Sequence, residues 1–232
     1  MGKRADCIKV LSLFLIFLFG VIACAGAPPE VNQLFWQLDV VLTPETDQQH
    51  EELSLFLMID DADGIDDIEE FIILQREAEL EWRLSAENTR RLDRDGETWM
   101  GVNGIRMHND SALPRGRYTV EVFDKAGEKA ETAFYVENEI IGIRQGPIGI
   151  SEFPRFDDSD SGFLSSPKGR VNIRCYNEQG AFVRSETVEG RKIAEDTYAK
   201  WIESGISSIW LHTFDEEAGF GLVSGPFRLT RE

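Results

Sequence analysis

The sequence predicts a mainly β protein, built from antiparallel β-sandwich modules with one short helix in the C-terminal half. Apolar and polar residues alternate along short segments such as "AELEWRLS", which is typical of half-buried antiparallel strands. Gly-containing turn pairs such as Asp63-Gly64 and Asp95-Gly96 recur between these segments. Short strands, frequent turns and no cysteine pairs together favour a β-sandwich.

The N-terminal segment 1–23 has the three-part plan of an export signal. Lys3, Arg4 and Lys9 form a basic region, and an uncharged stretch follows from Val10 to Ala23. That stretch has 14 residues, whereas a spanning helix needs about 20. We therefore expect a signal peptide here, and the alternative is a permanent transmembrane helix.

The residues around Cys24 decide how such a signal is processed. Val21, Ile22 and Ala23 precede the cysteine, and this run resembles the bacterial lipobox. The resemblance implies cleavage before Cys24 and acylation of its thiol and new amino group, for example with palmitate. Each buried CH₂ contributes about 0.8 kcal/mol, so two or three chains would hold the protein on a membrane. Ala23-Cys24-Ala25 is also an A-x-A site, at which ordinary signal peptidase would release a free protein.

The net charge of the chain argues against nucleic-acid partners and is compatible with an exported protein. The formal net charge is −18, and residues 1–23 carry three of the basic residues but only one acidic residue. Such an acidic surface repels nucleic-acid phosphates and keeps an exported domain soluble. We expect no nucleic-acid binding, and we place the protein in the bacterial cell envelope, lipid-anchored, with its mature domains outside the cytoplasm.

The cysteines predict a core that is stable without disulfides. Cys7 lies in the signal and Cys24 is the lipidation candidate, which leaves Cys175 alone. Cys175 stands in the alternating run "VNIRCYN". We therefore expect it to be a buried small hydrophobic residue rather than a reactive nucleophile.

The mature chain divides into a tether at 24–31, a β-sandwich at 32–137 and a second β-rich domain at 138–232. Residues 117–136, "RYTVEVFDKAGEKAETAFYV", predict a hairpin. The stretch "GRVNIRCYNEQGAFVRSETV" predicts another hairpin, and "SSIWLHTFDEEAGFGLVSGPFRL" repeats the same plan. Between these two hairpins, "AEDTYAKWIESG" predicts a short helix that Gly205 ends.

Three pieces of the first domain resemble bacterial immunoglobulin-like or fibronectin-type-III-like modules. They are "DDADGIDDIEEFII", "LEWRL" and "LPRGRYTVEVFDKAGEKAETAFYV". The resemblance implies that the first piece leads into a core strand and that the last piece forms the two closing strands. The disulfide of antibody domains is absent, and Trp82 is expected at the central core-strand position.

An acidic loop is the best candidate for a metal site. It holds seven carboxylates between Asp60 and Glu70, and calcium prefers six to eight oxygens from a flexible loop. EF-hand spacing fails, because with Gly64 as the loop glycine the first ligand position falls on Ile59. The calcium candidates are Asp61, Asp63, Asp67 and Glu70, and the alternative is a solvated turn. No other cofactor is expected.

No motif for catalysis is present, so we expect a non-enzymatic protein. The three histidines lie far apart, and neither a Gly-x-Ser-x-Gly elbow nor a P-loop occurs. We expect a membrane-anchored envelope lipoprotein with a structural or protein-binding role, in which exposed sheet edges suit an envelope protein partner. The alternative is a carbohydrate-binding or carbohydrate-processing surface protein. The five tryptophans, which could stack on sugars, alternate with polar residues as core aromatics do.

Overall fold

The computed structural model describes residues 26–137, 148–157, 163–165, 169–189, 195–216 and 218–229. In the first half these residues form eight strands: β1 (Glu30–Thr43), β2 (Gln48–Asp60), β3 (Ile68–Gln75), β4 (Leu80–Ser85), β5 (Arg90–Arg94), β6 (Glu97–Ile105), β7 (Gly116–Asp124) and β8 (Lys129–Val136). In the second half they form six strands and a helix: β9 (Arg155–Asp157), β10 (Phe163–Ser165), β11 (Arg170–Asn177), β12 (Phe182–Glu189), α1 (Glu195–Glu203), β13 (Ile206–Asp215) and β14 (Phe220–Arg228). None of the helices in these ranges is long and apolar enough to cross a membrane.

The first half is a sandwich of two antiparallel layers. One layer has the strand order β1-β2-β6-β5, and the other has the order β4-β3-β7-β8. Alternate residues of both layers point inward and form one hydrophobic core, which includes Leu38, Leu55, Ile73 and Val120. The mainly β sandwich with one helix, predicted from the alternation of apolar and polar residues, is confirmed.

The hairpin predicted at residues 117–136 is confirmed by β7 and β8, which pair in antiparallel register. Trp82 does not occupy the central core-strand position, and that expectation was wrong. It lies on β4, at the edge of its layer, opposite Ile73 of β3. Its indole stacks on Tyr118 with ring centroids 6.2 Å apart, so the ring covers one side of the core instead of filling its centre.

The second half builds its own core from a sheet and a helix. The predicted hairpins are confirmed as β11–β12 and β13–β14. Helix α1 is amphipathic and places Trp201 over the apolar face of the sheet, where Val171, Ile173 and Ile209 are also fully buried. The Trp201 indole N–H donates to Glu186 Oε1 at 3.2 Å, which satisfies the polar atom of this buried ring.

The two halves share a single eight-stranded sheet, because β1 pairs with β14 in parallel. At this seam Asp39 lies opposite Gly221 and accepts a hydrogen bond from the Gln37 amide at 2.6 Å. His212 Nε2 lies 3.4 Å from the Asp39 carboxylate. A side chain at position 221 would overlap both Asp39 and His212, so glycine is required for the strands to approach. The predicted boundary between the two domains falls in 138–147, outside the described residues, and that division stays a prediction.

Candidate functional site

The acidic loop connects β2 to β3 at one end of the sandwich. Gly64 adopts φ 103°, a conformation that favours glycine, and its N–H donates to the carbonyl of Asp61 at 3.0 Å. A short 3₁₀ turn at Ile65–Asp67 follows and leads directly into β3. The loop is therefore a compact turn, in which Asp61 and Asp67 point to the same side.

The structure adds a third carboxylate to these two. One oxygen each from Asp61, Asp67 and Asp124 lies within 4.8 Å of the other two. Asp124 is the last residue of β7, and β7 pairs with β3, so Asp124 lies opposite Ile68 at the point where the acidic loop ends. Sequence reasoning missed Asp124 because the strand pairing, rather than proximity in the chain, brings it to the loop.

The other two calcium candidates lie elsewhere. Glu70 is on β3 and forms an ion pair with Arg83 at 3.2 Å, on the outer face of the layer that contains β3. Asp63 Oδ2 accepts the backbone N–H of Ala27 at 2.9 Å. The loop thus divides its acidic residues between a cluster, a surface ion pair and a contact with the N-terminal segment.

The cluster contains carboxylate oxygens that the protein leaves without partners. Asp124 is 0% exposed, and its Oδ1 accepts the Glu128 N–H at 2.8 Å. Asp61 Oδ1 likewise accepts the Asp63 N–H at 2.8 Å. The remaining oxygens, Asp124 Oδ2 and Asp61 Oδ2, are buried and have no hydrogen-bond donor among the described residues. Burying such an oxygen costs free energy unless a donor or a cation satisfies it.

No positive side chain among the described residues neutralises the cluster. None of its three members forms an ion pair, whereas the adjacent Asp66 pairs with Arg91 at 2.8 Å. Carboxylates at the spacing of the cluster repel one another. The cluster offers only oxygen atoms as possible ligands for a cation.

The lipidation candidate Cys24 lies outside the described residues. The described chain begins at Gly26, two residues further on, and runs beside the acidic cluster into β1. An atom built as Cβ on Gly26 would be 2.9 Å from Asp63 Oδ2 and 3.8 Å from Asp124 Oδ2. The residues that follow Cys24 are therefore in contact with the end of the sandwich that carries the cluster.

A groove of about 660 Å³ follows the outer face of the eight-stranded sheet, on the side opposite both cores. Its lining comes from both ends of the sheet: Arg90 and Leu92 of β5 at one rim, and Phe182 of β12 at the other. The floor combines charged residues with aromatic ones, including Tyr176 and Trp210. This sheet face offers apolar and aromatic area interspersed with polar groups, a mixture that also occurs in protein interfaces.

The tryptophans occur mainly as core residues. Trp201 is fully buried, and the other four are partly buried. Cys175 is fully buried on β11, and desolvation raises the pKa of its thiol to about 11. A thiol with a raised pKa holds its proton and is a poor nucleophile, in agreement with the expectation of a small buried hydrophobic residue.

Strand order and one hydrogen bond define the class of the first half. The orders β1-β2-β6-β5 and β4-β3-β7-β8 correspond to strands A-B-E-D and C′-C-F-G of an immunoglobulin-like sandwich. The Tyr118 hydroxyl, near the start of the F-like strand β7, donates to the Pro114 carbonyl at 2.7 Å. This is the tyrosine corner of such sandwiches. The immunoglobulin-like resemblance read from the sequence is thus supported at the level of fold.

Comparison with known proteins takes the assignment no further. No protein-family model and no curated protein matches the chain. Dimeric latent PorU from Porphyromonas gingivalis aligns with 14% identity and a TM-score of 0.29, over 88% of this chain and 20% of PorU. A chain from the complex of Dpr11 IG1 with DIP-gamma IG+IG2 aligns with 12% identity and a TM-score of 0.24, over 86% of this chain and 98% of that one. At such TM-scores the similarity carries no argument about function.

Proposed function

We propose that this protein is a lipid-anchored protein of the bacterial envelope that binds a protein partner through the grooved face of its eight-stranded sheet. The observation that carries the binding role is the groove itself, because its lining comes from both halves of the chain. Exposed Leu92 and Phe182 at the rims supply apolar contact area, and Arg90 and Glu52 supply charges of both signs. Protein interfaces combine aromatic and apolar contacts with hydrogen bonds and charged groups in this way.

A binding role rather than catalysis agrees with the chemistry of the side chains near the groove. The only described cysteine, Cys175, faces the core with a raised pKa, and its thiol is not in the groove. His212 and Asp39 are in contact where β1 pairs with β14, and both form hydrogen bonds with the Gln37 side chain. These groups are engaged in stabilising the sheet.

The groove can be tested with two neighbouring exposed apolar residues of β12, of which only one lines it. Phe182 is 47% exposed and lines the groove, whereas Val183 is 43% exposed and is not part of the lining. We expect Phe182→Asp to abolish crosslinking to an envelope protein in intact cells, and Val183→Asp to leave it unchanged. Equal crosslinking by wild type and Phe182→Asp would contradict the proposed surface.

A carbohydrate ligand is the second candidate, because Tyr176 and Trp210 line the same groove beside Asn172. Aromatic faces with neighbouring amides can stack on sugars and bond to their hydroxyls. A glycan array with the full-length protein separates the two candidates. Binding to a glycan that Trp210→Ala abolishes and Val183→Asp preserves would favour the carbohydrate ligand over the protein partner.

The membrane anchor rests on the run Val21-Ile22-Ala23-Cys24 and on the uncharged stretch before it. We expect palmitate to label the wild-type protein and not Cys24→Ser, because the thiol is the acylated group. Label that persists in Cys24→Ser, or a mature protein that begins at Gly26, would contradict the anchor. The groove proposal does not depend on this result, since the crosslinking variants test it separately.

A further inference from the structure

The acidic cluster at the end of the sandwich has the features of a metal site that also contacts the N-terminal tether. We propose that Asp61, Asp67 and Asp124 bind a calcium ion and that this ion fixes residues 26–29 against the sandwich. The proposal stands apart from the groove and from the lipid anchor. It rests on three observations: the unpartnered buried oxygens, the uncompensated charge, and the contact between Asp63 and Ala27.

The unpartnered oxygens are held in place before any ion arrives. Asp124 is fully buried, and the Glu128 N–H fixes its Oδ1. The Asp63 N–H fixes Asp61 Oδ1 in the same way. In each residue the second oxygen is buried and lacks a donor among the described residues, and both residues belong to the cluster. A cation between them would satisfy two groups whose burial is otherwise unfavourable.

The ligand set favours calcium over other cations. All three groups are carboxylates, and hard oxygen ligands without nitrogen or sulfur suit calcium or magnesium rather than zinc or copper. They come from a turn and from a strand end, whose spacing can adjust to calcium–oxygen distances of about 2.3–2.6 Å. Magnesium requires near-ideal octahedral geometry at about 2.0–2.1 Å and gives up its bound water reluctantly, so a cluster of protein carboxylates suits it less well.

The cluster is linked to the tether through Asp63. Asp61 accepts the backbone N–H of Asp63, and the Asp63 carboxylate accepts the N–H of Ala27. Gly26 leaves room for this approach, since a Cβ there would be 2.9 Å from Asp63 Oδ2. Ordering of the Asp61 turn by an ion therefore also orders the acceptor of the Ala27 N–H.

The test is a calcium titration of the full-length protein in detergent after removal of metal with EGTA. We expect calcium to raise the melting temperature with a dissociation constant of about 10⁻⁴–10⁻³ M, the range of extracellular calcium modules. Magnesium at the same concentration is expected to give a smaller shift. Amide hydrogen exchange at residues 26–29 is expected to slow when calcium binds.

Variants separate the site from general charge effects. Asp124→Asn and Asp67→Asn are expected to weaken calcium affinity by about tenfold or more, because each removes one charged ligand. Asp66→Asn is the matched control, since Asp66 lies in the same loop, is 94% exposed and is not part of the cluster. Both test variants are expected to melt cooperatively in EGTA, which shows that they fold.

Two results would overturn the proposal. The calcium site is wrong if wild type shows no calcium-dependent shift, or if Asp124→Asn and Asp67→Asn retain the full shift of Asp66→Asn. The role in fixing the tether is wrong if calcium raises the melting temperature without slowing amide exchange at residues 26–29.

Discussion

The two ends of the N-terminal sandwich each bury a carboxylate, and they treat it in opposite ways. Glu51, near the start of β2, is 1% exposed and forms a bidentate pair with Arg115, at 2.8 and 2.7 Å. The Leu113 N–H donates to the same carboxylate at 2.9 Å. Asp124, at the other end, is equally buried but keeps one oxygen without a partner and lies among other carboxylates.

This contrast separates a carboxylate that serves the fold from one that is available to a ligand. Glu51 closes the turn before β7 by binding both a side chain and the backbone of that turn. The Asp124 carboxylate accepts only one hydrogen bond from its own turn, and the residue belongs to a cluster of like charge. Burial alone therefore does not reveal the role of an acidic residue, whereas its partners do.

The largest effect is expected from Glu51→Gln. The substitution keeps the shape of the side chain but leaves the Arg115 guanidinium without its counter-charge. We expect the free energy of unfolding to fall by about 3 kcal/mol, at the lower end for a broken buried pair because Arg115 keeps some contact with water. Chemical denaturation measures it. Glu52→Gln, next in the chain and half-buried, is the control and should change stability by less than about 1 kcal/mol.

A pH-dependent effect is expected from Cys175, a buried group that stays neutral at ordinary pH. Burial raises its pKa to about 11, so its contribution is complete below the ordinary thiol pKa and is lost as the pH rises through the folded pKa. Between about pH 9 and 11, wild type should lose about 2 kcal/mol more than Cys175→Ala. The measurement is the free energy of unfolding of both proteins as a function of pH, each expressed relative to its own value at about pH 7. The same pH dependence in both proteins would contradict the prediction.

A smaller effect is expected from Tyr118→Phe. The hydroxyl donates to the Pro114 carbonyl within the fully buried corner, and its loss leaves that carbonyl without its donor. We expect a loss of about 1–2 kcal/mol in the free energy of unfolding. Tyr135→Phe, on the exposed side of β8, is the control and should be neutral. A neutral Tyr118→Phe would show that the corner hydrogen bond contributes nothing to stability.

The smallest effect, and the one of opposite sign, is expected from Asp124→Asn in EGTA. It makes the same change of acid to amide as Glu51→Gln but removes repulsion rather than attraction. We expect the metal-free protein to gain about 1 kcal/mol, because two carboxylates remain where there were three. Denaturation in EGTA measures it. A loss as large as that of Glu51→Gln would show that the two ends of the sandwich are alike.

The strands and hairpins could be predicted from the sequence because they depend on local pattern. Alternation along β7, β8 and β11 marks the inward residues, and the turns of the β7–β8 and β11–β12 hairpins contain Gly127 and Gly180. Trp82 is an example of a position that alternation cannot predict. Its segment was correctly predicted as a strand, but alternation does not indicate whether a strand lies in the centre or at the edge of a layer.

The candidate site could be predicted only in part. The acidic loop is visible as a run of aspartates, and Asp61 and Asp67 were among the candidates. Asp124 was not, because it enters the cluster through the pairing of β3 with β7, which is a long-range contact. Glu70 was also a calcium candidate, but it lies on strand β3, where its side chain forms an ion pair with Arg83. The groove likewise depends on a sheet that joins both ends of the chain.

The parallel pairing of β1 with β14 has a consequence for the order in which the chain can fold. The first described strand has one neighbour close in sequence, β2, and its other neighbour is the last described strand, β14. Until the C-terminal residues are available, that side of β1 presents unpaired backbone groups, which can pair with other chains. Contacts between such distant segments form late and slow folding. A chain that is synthesised from its N-terminus therefore completes its eight-stranded sheet only when β14 is available.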